Sequence, residues 1–513
     1  MAEDSSADDF ISNEEFDKKY ANRVMILLTL LVVVVMYIEG MLTPSLLQIA
    51  TDFKVTEAQV SLVLSTYLIG GVALAPIVGK LGDIYGKKKV LSIVLIAYAA
   101  AVSVTGFSPN LTFMVVSRGV QGIGMSIMPL GMSLMREEFP KDMIPKAQAL
   151  LSAMFGVGFA VSMPLGSWVS NDFGWRWTYH SAIPFVLVLA LVTIFMIKES
   201  KFRRPDTKID YIGAALLAGS LSLFVFALSE GSNWGWLSQQ TLLLVAVGAL
   251  LLIPLALYET SVTRKGLEAI LNTRLLSERN VMVANIALTI AGLGMFLAFQ
   301  ALTFKFGNPS PSGFGKSTLM IGLSLVPFAL GMTVFAPVAG ILVTRTGVKP
   351  LAILGAIVTA LGFVLMTAAT TYVPLLAMEF LTGSGMSLMN ASLINLIVLT
   401  VKPKDMGLAT AMNTTFRSVG SSVGAPVAGS LLASFTLPAV AAGGVPGLPS
   451  DLAYSSIFTI AAVVFLLAAL AIVFGHEVLG RRAKQATEVS IEAKSKGGSE
   501  MIEAATGEYA REA

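Results

Sequence analysis

The chain has no cysteine and only two histidines. The first absence excludes disulfides, thiol nucleophiles and sulfur-ligated metals. His180 and His476 fall near the ends of predicted helices and far apart in sequence, so neither a metal site nor a catalytic nucleophile–base cluster is expected. Charge is scarce too: 13% of the 513 residues are charged, while 55% are hydrophobic. A soluble domain of this size needs far more polar surface, so the composition indicates a polytopic membrane protein. The net charge of +3 gives no reason to expect a nucleic-acid partner. Acidic residues dominate the first twenty positions, which is wrong for a secretory signal. The charged, small-residue stretch after 476 is expected to be a disordered tail.

What the sequence does have is long apolar runs. About 20 such residues cross about 30 Å of hydrocarbon. Spans are predicted near 24–46, 59–79, 90–107, 111–134, 147–169 and 181–197. Two more are expected near 212–229 and 240–258, then six near 281–303, 318–343, 350–370, 374–400, 407–433 and 455–475. Fourteen spans put both ends on one side. The loops of that side, from "GKLGDIYGKKK" to "KPKD", hold twenty lysines and arginines, whereas the opposite loops hold only Lys54, Arg176, Lys305 and Lys316. Basic loops stay in the cytoplasm, so both tails, 1–23 and 477–513, are expected there, with the chain in the plasma membrane. Inside the spans this leaves two cations, Arg118 and Arg417, and two carboxylates, Glu39 and Glu379, with Glu230 at an outer edge.

The sequence repeats itself at an offset of 261 residues. "GIGMSIM" at 122–128 returns as "GSGMSLM" at 383–389, and "GKLGDIYGKK" at 79–88 as "GILVTRTGVK" at 340–349. "PKDM" at 140–143 returns at 403–406, two residues out of step. Residues 24–200 and 279–476 therefore read as parallel six-helix repeats, with 201–278 contributing two inserted helices and a cytoplasmic linker. Such repeats place a binding site between them near mid-membrane.

These motifs resemble those of the major facilitator superfamily, in particular its fourteen-spanner drug:proton antiporter branch. "GKLGDIYGKKKV" at 79–90 is similar to the loop signature between spans two and three, and "SRGVQGIGMS" at 117–126 to the fourth-span signature. "GWRWTYHSAIP" at 174–184 and "SEGSNWGWLS" at 229–238 resemble segments of that branch. In the fifth-span antiporter motif Pro164 and Gly166 are present, but Met163 and Ser167 stand where the family has glycine; the thirteenth span has Gly424, Pro426 and Gly429. Ala182 and Ile183 replace the usual Asn-Val. The resemblance implies an all-α major facilitator fold with 14 transmembrane helices, no enzyme activity and no cofactor beyond a coupling proton. It also implies a conformational latch of Gly79, Gly82, Asp83, Gly86 and Lys87, with Arg345 in the second repeat.

The residues themselves suggest chemistry. A charge at a span centre costs about 2.5–3.5 kcal/mol, so such a residue faces a cavity or a partner. Glu39 stands fifteen residues beyond Val24, about 22 Å along a helix. Arg118 stands about 10 Å below the outer end of its span, a comparable depth. The two are expected to meet in the outer half of a cavity, with Gln121 on the same helix side. At the repeat offset Arg118 aligns with Glu379, and Glu39 with Gln300.

Desolvation favours a protonated carboxylate, while an ionised one attracts a lipophilic cation. If proton and cation compete for Glu39, binding one expels the other. A proton falling through about 100 mV releases about 2.3 kcal/mol, roughly a fiftyfold gradient of a neutral solute. Glu39, Arg118, Gln121, Glu379 and Arg417 are therefore the candidate coupling and binding residues. The expected partners are a small amphipathic substrate, protons and the bilayer, with the chain acting as a monomer. Arg118 equally suits an anionic metabolite, the alternative substrate class. The 24 methionines serve as core filler or as a yielding pocket, and Trp175, Trp177, Trp234 and Trp236 read as outer interface anchors. "SGFGKST" at 312–318 fails as a phosphate loop because position 310 is serine.

Overall fold

A computed structural model describes residues 18–139, 144–199, 203, 209–267, 269–402, 406–438 and 447–478. Both expected tails beyond 18 and 478, the Pro-Lys-Asp of each repeat, and the loop from 200 to 208 apart from Arg203 lie outside the described residues. The N-terminal set of helices is α1 (Lys18–Gly40), α2 (Leu46–Phe53), α3 (Glu57–Tyr85) and α4 (Lys87–Gly106). It continues with α5 (Leu111–Gln121), α6 (Ile127–Glu138), α7 (Ile144–Phe173) and α8 (Trp175–Met196). A pair follows, α9 (Tyr211–Trp234) and α10 (Gln239–Arg264), and then the short α11 (Thr273–Leu276). The C-terminal set begins with α12 (Arg279–Gly307), α13 (Thr318–Ser324), α14 (Val326–Thr346) and α15 (Val348–Ala368). It ends with α16 (Tyr372–Thr400), α17 (Met406–Ser434) and α18 (Asp451–Val473).

Among the described residues twelve helical stretches are long and apolar enough to cross a membrane. Helices also stand at the two other predicted spans, α7 and α17. Most run past the apolar limits read from the sequence because polar residues at the water boundary stay helical. α3, for instance, opens on a capping box in which Thr56 accepts from Gln59 N (3.2 Å) and Gln59 accepts from Thr56 N (3.3 Å). Gly86 and Gly347, one repeat apart, have φ of +103° and +91° and turn the chain between successive helices.

Three of the predicted spans are interrupted, the one at 318–343 by Leu325 between α13 and α14. α1 stops at Gly40, and a 3₁₀ turn at Thr43–Ser45, carrying Pro44, leads into α2. Similarly, α5 stops at Gln121, and a 3₁₀ turn at Gly122–Ser126 leads into α6. Proline lacks the donor an α-helix needs, and a 3₁₀ turn is the tighter alternative.

The sequence repeat returns as packing. A Cβ on Gly70 would strike the carbonyl of Gly119, and one on Gly331 that of Phe380. Gly122 lies against the Tyr67 carbonyl, and Gly383 against that of Phe328. Gly124 makes room for the Tyr98 ring, and Gly385 for Thr359. Every one of these pairs is separated by the same 261 positions. Helices thus meet backbone to backbone, as packing in a lipid solvent favours.

α9 wedges against both α3 and α17, so it touches both sets, and α10 packs on α9. α9 is tied to α3 at one end by Ser229 Oγ donating to Ala58 O (3.1 Å) and Gln59 Nε2 donating to Glu230 Oε1 (3.1 Å). At its other end Asp210 accepts from Gly213 N (2.7 Å) and Ile270 N (3.4 Å), while Glu259 of α10 accepts from Leu271 N (3.2 Å). These two carboxylates clasp the segment leading to α12.

A belt of polar contacts joins the sets at the end carrying Lys54 and Arg176. Gln48 donates to Thr318 Oγ1 (2.8 Å) and accepts from Ser170 Oγ (2.7 Å). Gln300 Nε2 donates to the Glu57 carbonyl (3.2 Å), and Ser167 Oγ to the Leu319 carbonyl (3.4 Å). At the opposite, basic end, a Cβ on Gly79 or on its repeat mate Gly340 would meet nothing within 4 Å.

Gly122→Val and Gly383→Val force branched side chains into neighbouring backbone, an overpacking that costs about 1–3 kcal/mol each. Thermal unfolding in detergent is expected to drop for both and to be unchanged for Gly340→Val. An equal drop for Gly340→Val would show that helix propensity, not helix contact, sets the effect.

Candidate functional site

Glu39 is the penultimate residue of α1, just before the break, and is 9% exposed. The break matters because α7 crosses there: Gly166 lies against the backbone of Met41, and Gly158 against Val33 and Met36. The antiporter-motif helix therefore presses on the segment that holds the carboxylate. In the C-terminal set Gly424 lies against Leu293 and Leu297 of α12, and Pro426 sits inside α17. Where the motif has lost its glycines, Met163 and Ser167 are buried, and Gly322 of α13 supplies the missing room, its Cβ position falling on Ser167 and the Met163 carbonyl.

Arg118 is 1% exposed, near the end of α5. Gly70 and Gly122 bring α5 onto α3, and across that contact Arg118 Nε donates to the Val63 carbonyl (3.1 Å). Nη1 donates to Gln121 Oε1 (3.4 Å), which also accepts from Thr105 Oγ1 (3.5 Å). The guanidinium lies 4.6 Å from the centroid of the Tyr67 ring, a cation–π contact. The charges acting on Glu39 are Arg417 of α17 first and Arg118 second. The charges of two guanidiniums, one from each set, thus act on one carboxylate. The expected meeting of Glu39 and Arg118 is electrostatic rather than a direct bond, because the guanidinium's hydrogen bonds go to Val63 and Gln121.

Glu379 stands apart. It is fully buried in α16, and neither carboxylate oxygen has a hydrogen-bond partner. Its helix packs between α14 and α15, where Gly331 and Gly362 admit it.

The latch residues divide. Gly82 touches Leu130 and Lys87, and Gly86 makes the turn. Asp83 Oδ1 lies 3.9 Å from Lys87 Nζ in the same set. It does not start a helix, because α3 runs on to Tyr85. Gly79, the first of the expected latch residues, faces open space in this conformation. Arg345 is exposed.

Trp175 also departs from expectation. It is 2% exposed, not an interface anchor, because its Nε1 donates to Asp52 (2.8 Å) beneath the Arg176 guanidinium. The other three named tryptophans are exposed.

Two acidic groups escaped the sequence reading. Glu477, just past α18, accepts from Val348 N (3.1 Å) and Lys349 N (2.9 Å), satisfying the free amides that begin α15. A carboxylate directly after the last apolar run was the available signal. Glu259, 1% exposed, was hidden because it lies within one turn of the charged end of its run.

The description of the Major Facilitator Superfamily matches residues 28–300 and 286–501. The chain belongs to that family. Among its relatives, the multidrug transporter protein MdtP of Bacillus subtilis (strain 168) is 27% identical over 373 residues, spanning 72% of this chain and 67% of that protein. An uncharacterized MFS-type transporter of Mycobacterium tuberculosis (strain CDC 1551 / Oshkosh) is 28% identical over 403 residues. That match spans 77% of this chain and 57% of the relative. The fold is similar, with TM-score 0.65 and 13% identity, to a bacterial homolog of the human lysosomal transporter Spinster in an inward-facing, unoccupied conformation. That comparison covers 89% of this chain and 98% of the other. This major facilitator chain is accordingly a multi-pass membrane transporter rather than an enzyme.

Arg118→Lys keeps the charge but loses the fork that reaches Val63 and Gln121 together. Hydrogen bonds to charged groups are worth about 1.5–3 kcal/mol, so stability in detergent is expected to fall by about that much. Wild-type stability in the lysine variant would mean that the charge alone holds the site.

Proposed function

We propose that this major facilitator protein exports lipophilic, cationic compounds in exchange for protons. The observation that carries the reading is the membrane-buried Glu39, on which the charges of Arg118 of its own set and Arg417 of the other both act. Any rocking of the sets changes the distance between Glu39 and Arg417, and with it the balance between an ionised and a protonated carboxylate. Ionised, Glu39 attracts a cation; protonated, it releases one. Arg118 moves with Glu39 and moderates both. Glu379, expected as a second acidic cavity residue, is instead fully buried where α16 packs between α14 and α15, and serves in this scheme as the reserve carboxylate. The relative MdtP, a multidrug transporter protein, supports drug transport as the broader role.

In the same proposal α7 and α17 complete fourteen spans. Residues 24–200 and 279–476 are two six-helix halves, with 201–278 inserted between them. The chain works as a monomer in the plasma membrane, both termini cytoplasmic, and needs no cofactor but the coupling proton. With the basic loops in the cytoplasm, the polar belt around Gln48 shuts the outer end, and Gly79 and Gly340 face the open, cytoplasmic end. Two guanidiniums beside one carboxylate also favour a second reading, transport of a metabolite or organic anion.

The test is substrate-triggered proton movement in proteoliposomes with an internal pH dye and a panel of lipophilic cations. Proton flux opposite to the cation is expected, reduced at least about tenfold in Glu39→Gln, the loss of about 1.4 kcal/mol of coupling. Unchanged flux in that variant transfers the role to Glu379. No flux with any cation favours the anion reading.

A further inference from the structure

A groove on the outside of the N-terminal set has no part in the transport scheme. It lies between α1 and α8 at the basic end and has a volume of about 510 Å³. Tyr20 and Arg23 of α1 line it, with Leu191, Val192, Phe195 and Met196 of α8. Just past α8, Lys198 N donates to Tyr20 Oη (2.9 Å), and Lys198 Nζ stands 4.6 Å from the centroid of the same ring. Arg23 and Lys198 are both exposed, and neither has a carboxylate partner among the described residues. Deeper in the bilayer the wall is apolar: Phe195 is 83% exposed, and Leu191, one turn and about 6 Å further in, 54%.

The C-terminal set closes the same place with its own chain. At the 261-residue offset Tyr20 becomes Val281 and Arg23 becomes Ala284, both fully buried in α12. Beside them Asn280 Oδ1 accepts from His476 N (2.7 Å), and Arg279 Nη1 meets His476 Nε2 (3.3 Å), so the segment after α18 is drawn onto α12. The fold can therefore fill this position, yet in the N-terminal set it stays open with cations at its rim. A phospholipid matches both parts of such a wall. Its phosphate suits a guanidinium fork beside an ammonium, and its acyl chain lies along exposed leucine and phenylalanine. An acidic peptide could meet the cations, but to cover Leu191 it would have to carry backbone polar groups into hydrocarbon.

We propose that the groove between α1 and α8 binds an anionic phospholipid from the leaflet at the basic end. Its phosphate sits between Arg23 and Lys198, and one acyl chain runs inward over Phe195 and Leu191. Anionic lipid is the matching headgroup because basic side chains near a membrane surface gain attraction from it that a zwitterionic lipid does not supply. The site needs the bilayer and this pair of helices, and it stands whether or not Glu39 exchanges protons.

The test is native mass spectrometry of the purified full-length protein titrated with phosphatidylglycerol or with phosphatidylcholine of the same acyl chains. Wild type is expected to retain one phosphatidylglycerol at least about tenfold more tightly, from about fivefold per basic side chain. Arg23→Gln combined with Lys198→Gln is expected to erase that preference and to leave phosphatidylcholine retention unchanged. Phe195→Ser is expected to weaken both lipids. Absence of a preference in wild type overturns the site, as does a preference that survives the double variant. An equal loss in Arg264→Gln combined with Lys265→Gln would mean that general surface charge is responsible, and overturns it too. Glycerol phosphate competing as well as the intact lipid would reduce the groove to an anion site and overturn the lipid. Two other occupants have their own signatures, and either overturns the proposal. One is a dimer mass that disappears in Phe195→Ser. The other is a preference that appears only after Asp8→Asn, Asp9→Asn, Glu14→Gln and Glu15→Gln, which would assign the groove to the acidic start of the chain.

Discussion

A carboxylate inside a bilayer stays ionised only where nearby cations balance the cost of taking the charge out of water, and Glu39 imposes that constraint here. Its balance comes from guanidiniums on two different helices, Arg118 on α5 and Arg417 on α17. The helices that hold Glu39, Arg118 and Arg417 pack on their neighbours through bare backbone: Gly166 sets α7 on Met41, Gly70 and Gly122 set α5 on α3, and Gly429 sets α17 on Glu57 and Ala58 at the start of α3. Each glycine removes a side chain where a neighbouring carbonyl must pass, and Arg118 reaches the Val63 carbonyl through the space they open. Because Arg417 belongs to the other set, the electrostatics of Glu39 also depend on how the two sets are placed.

The repeat shows how one scaffold carries opposite chemistry. The positions of Arg118 and Glu379 are framed by the same glycine contacts 261 residues apart. One holds a cation among tyrosines, the other a carboxylate whose oxygens have no partner. The glycine contacts are shared, but the backbone is not: α5 gives way to the Gly122–Ser126 turn, whereas α16 runs unbroken from Tyr372 to Thr400. Pro44 and the Gly122–Ser126 turn add breaks beside Glu39 and Gln121, where straight helices would point these side chains elsewhere.

The pair α9 and α10 is more than a spacer in sequence. α9 lies on α3 and α17 together, and its ends are fixed by polar contacts to α3 and to the segment entering α12. A helix that touches both sets in this way spans the line along which they meet. The belt around Gln48 closes one end of that line, while the glycines of the loop motif and its repeat look into open space at the other.

Much of this was legible in the sequence. Apolar runs located the helices because lipid demands about 20 such residues per crossing. The 261-residue offset paired Gly122 with Gly383 and Gly124 with Gly385, whose contacts match, and scarcity of charge singled out Glu39, Arg118, Glu379 and Arg417, since each is costly enough in lipid to mark itself. The sequence could not say which charge meets which. The partners of Arg118 are a backbone carbonyl and Gln121, fixed by the crossing of α5 and α3. Trp175 was misread because its burial depends on Asp52, more than a hundred residues away. The open surroundings of Gly79, the clasp of Glu477 on α15 and the tyrosine beneath Arg118 belong to the tertiary structure for the same reason. Periodicity and composition report what each helix must bury, while partners distant in sequence are decided only when helices cross.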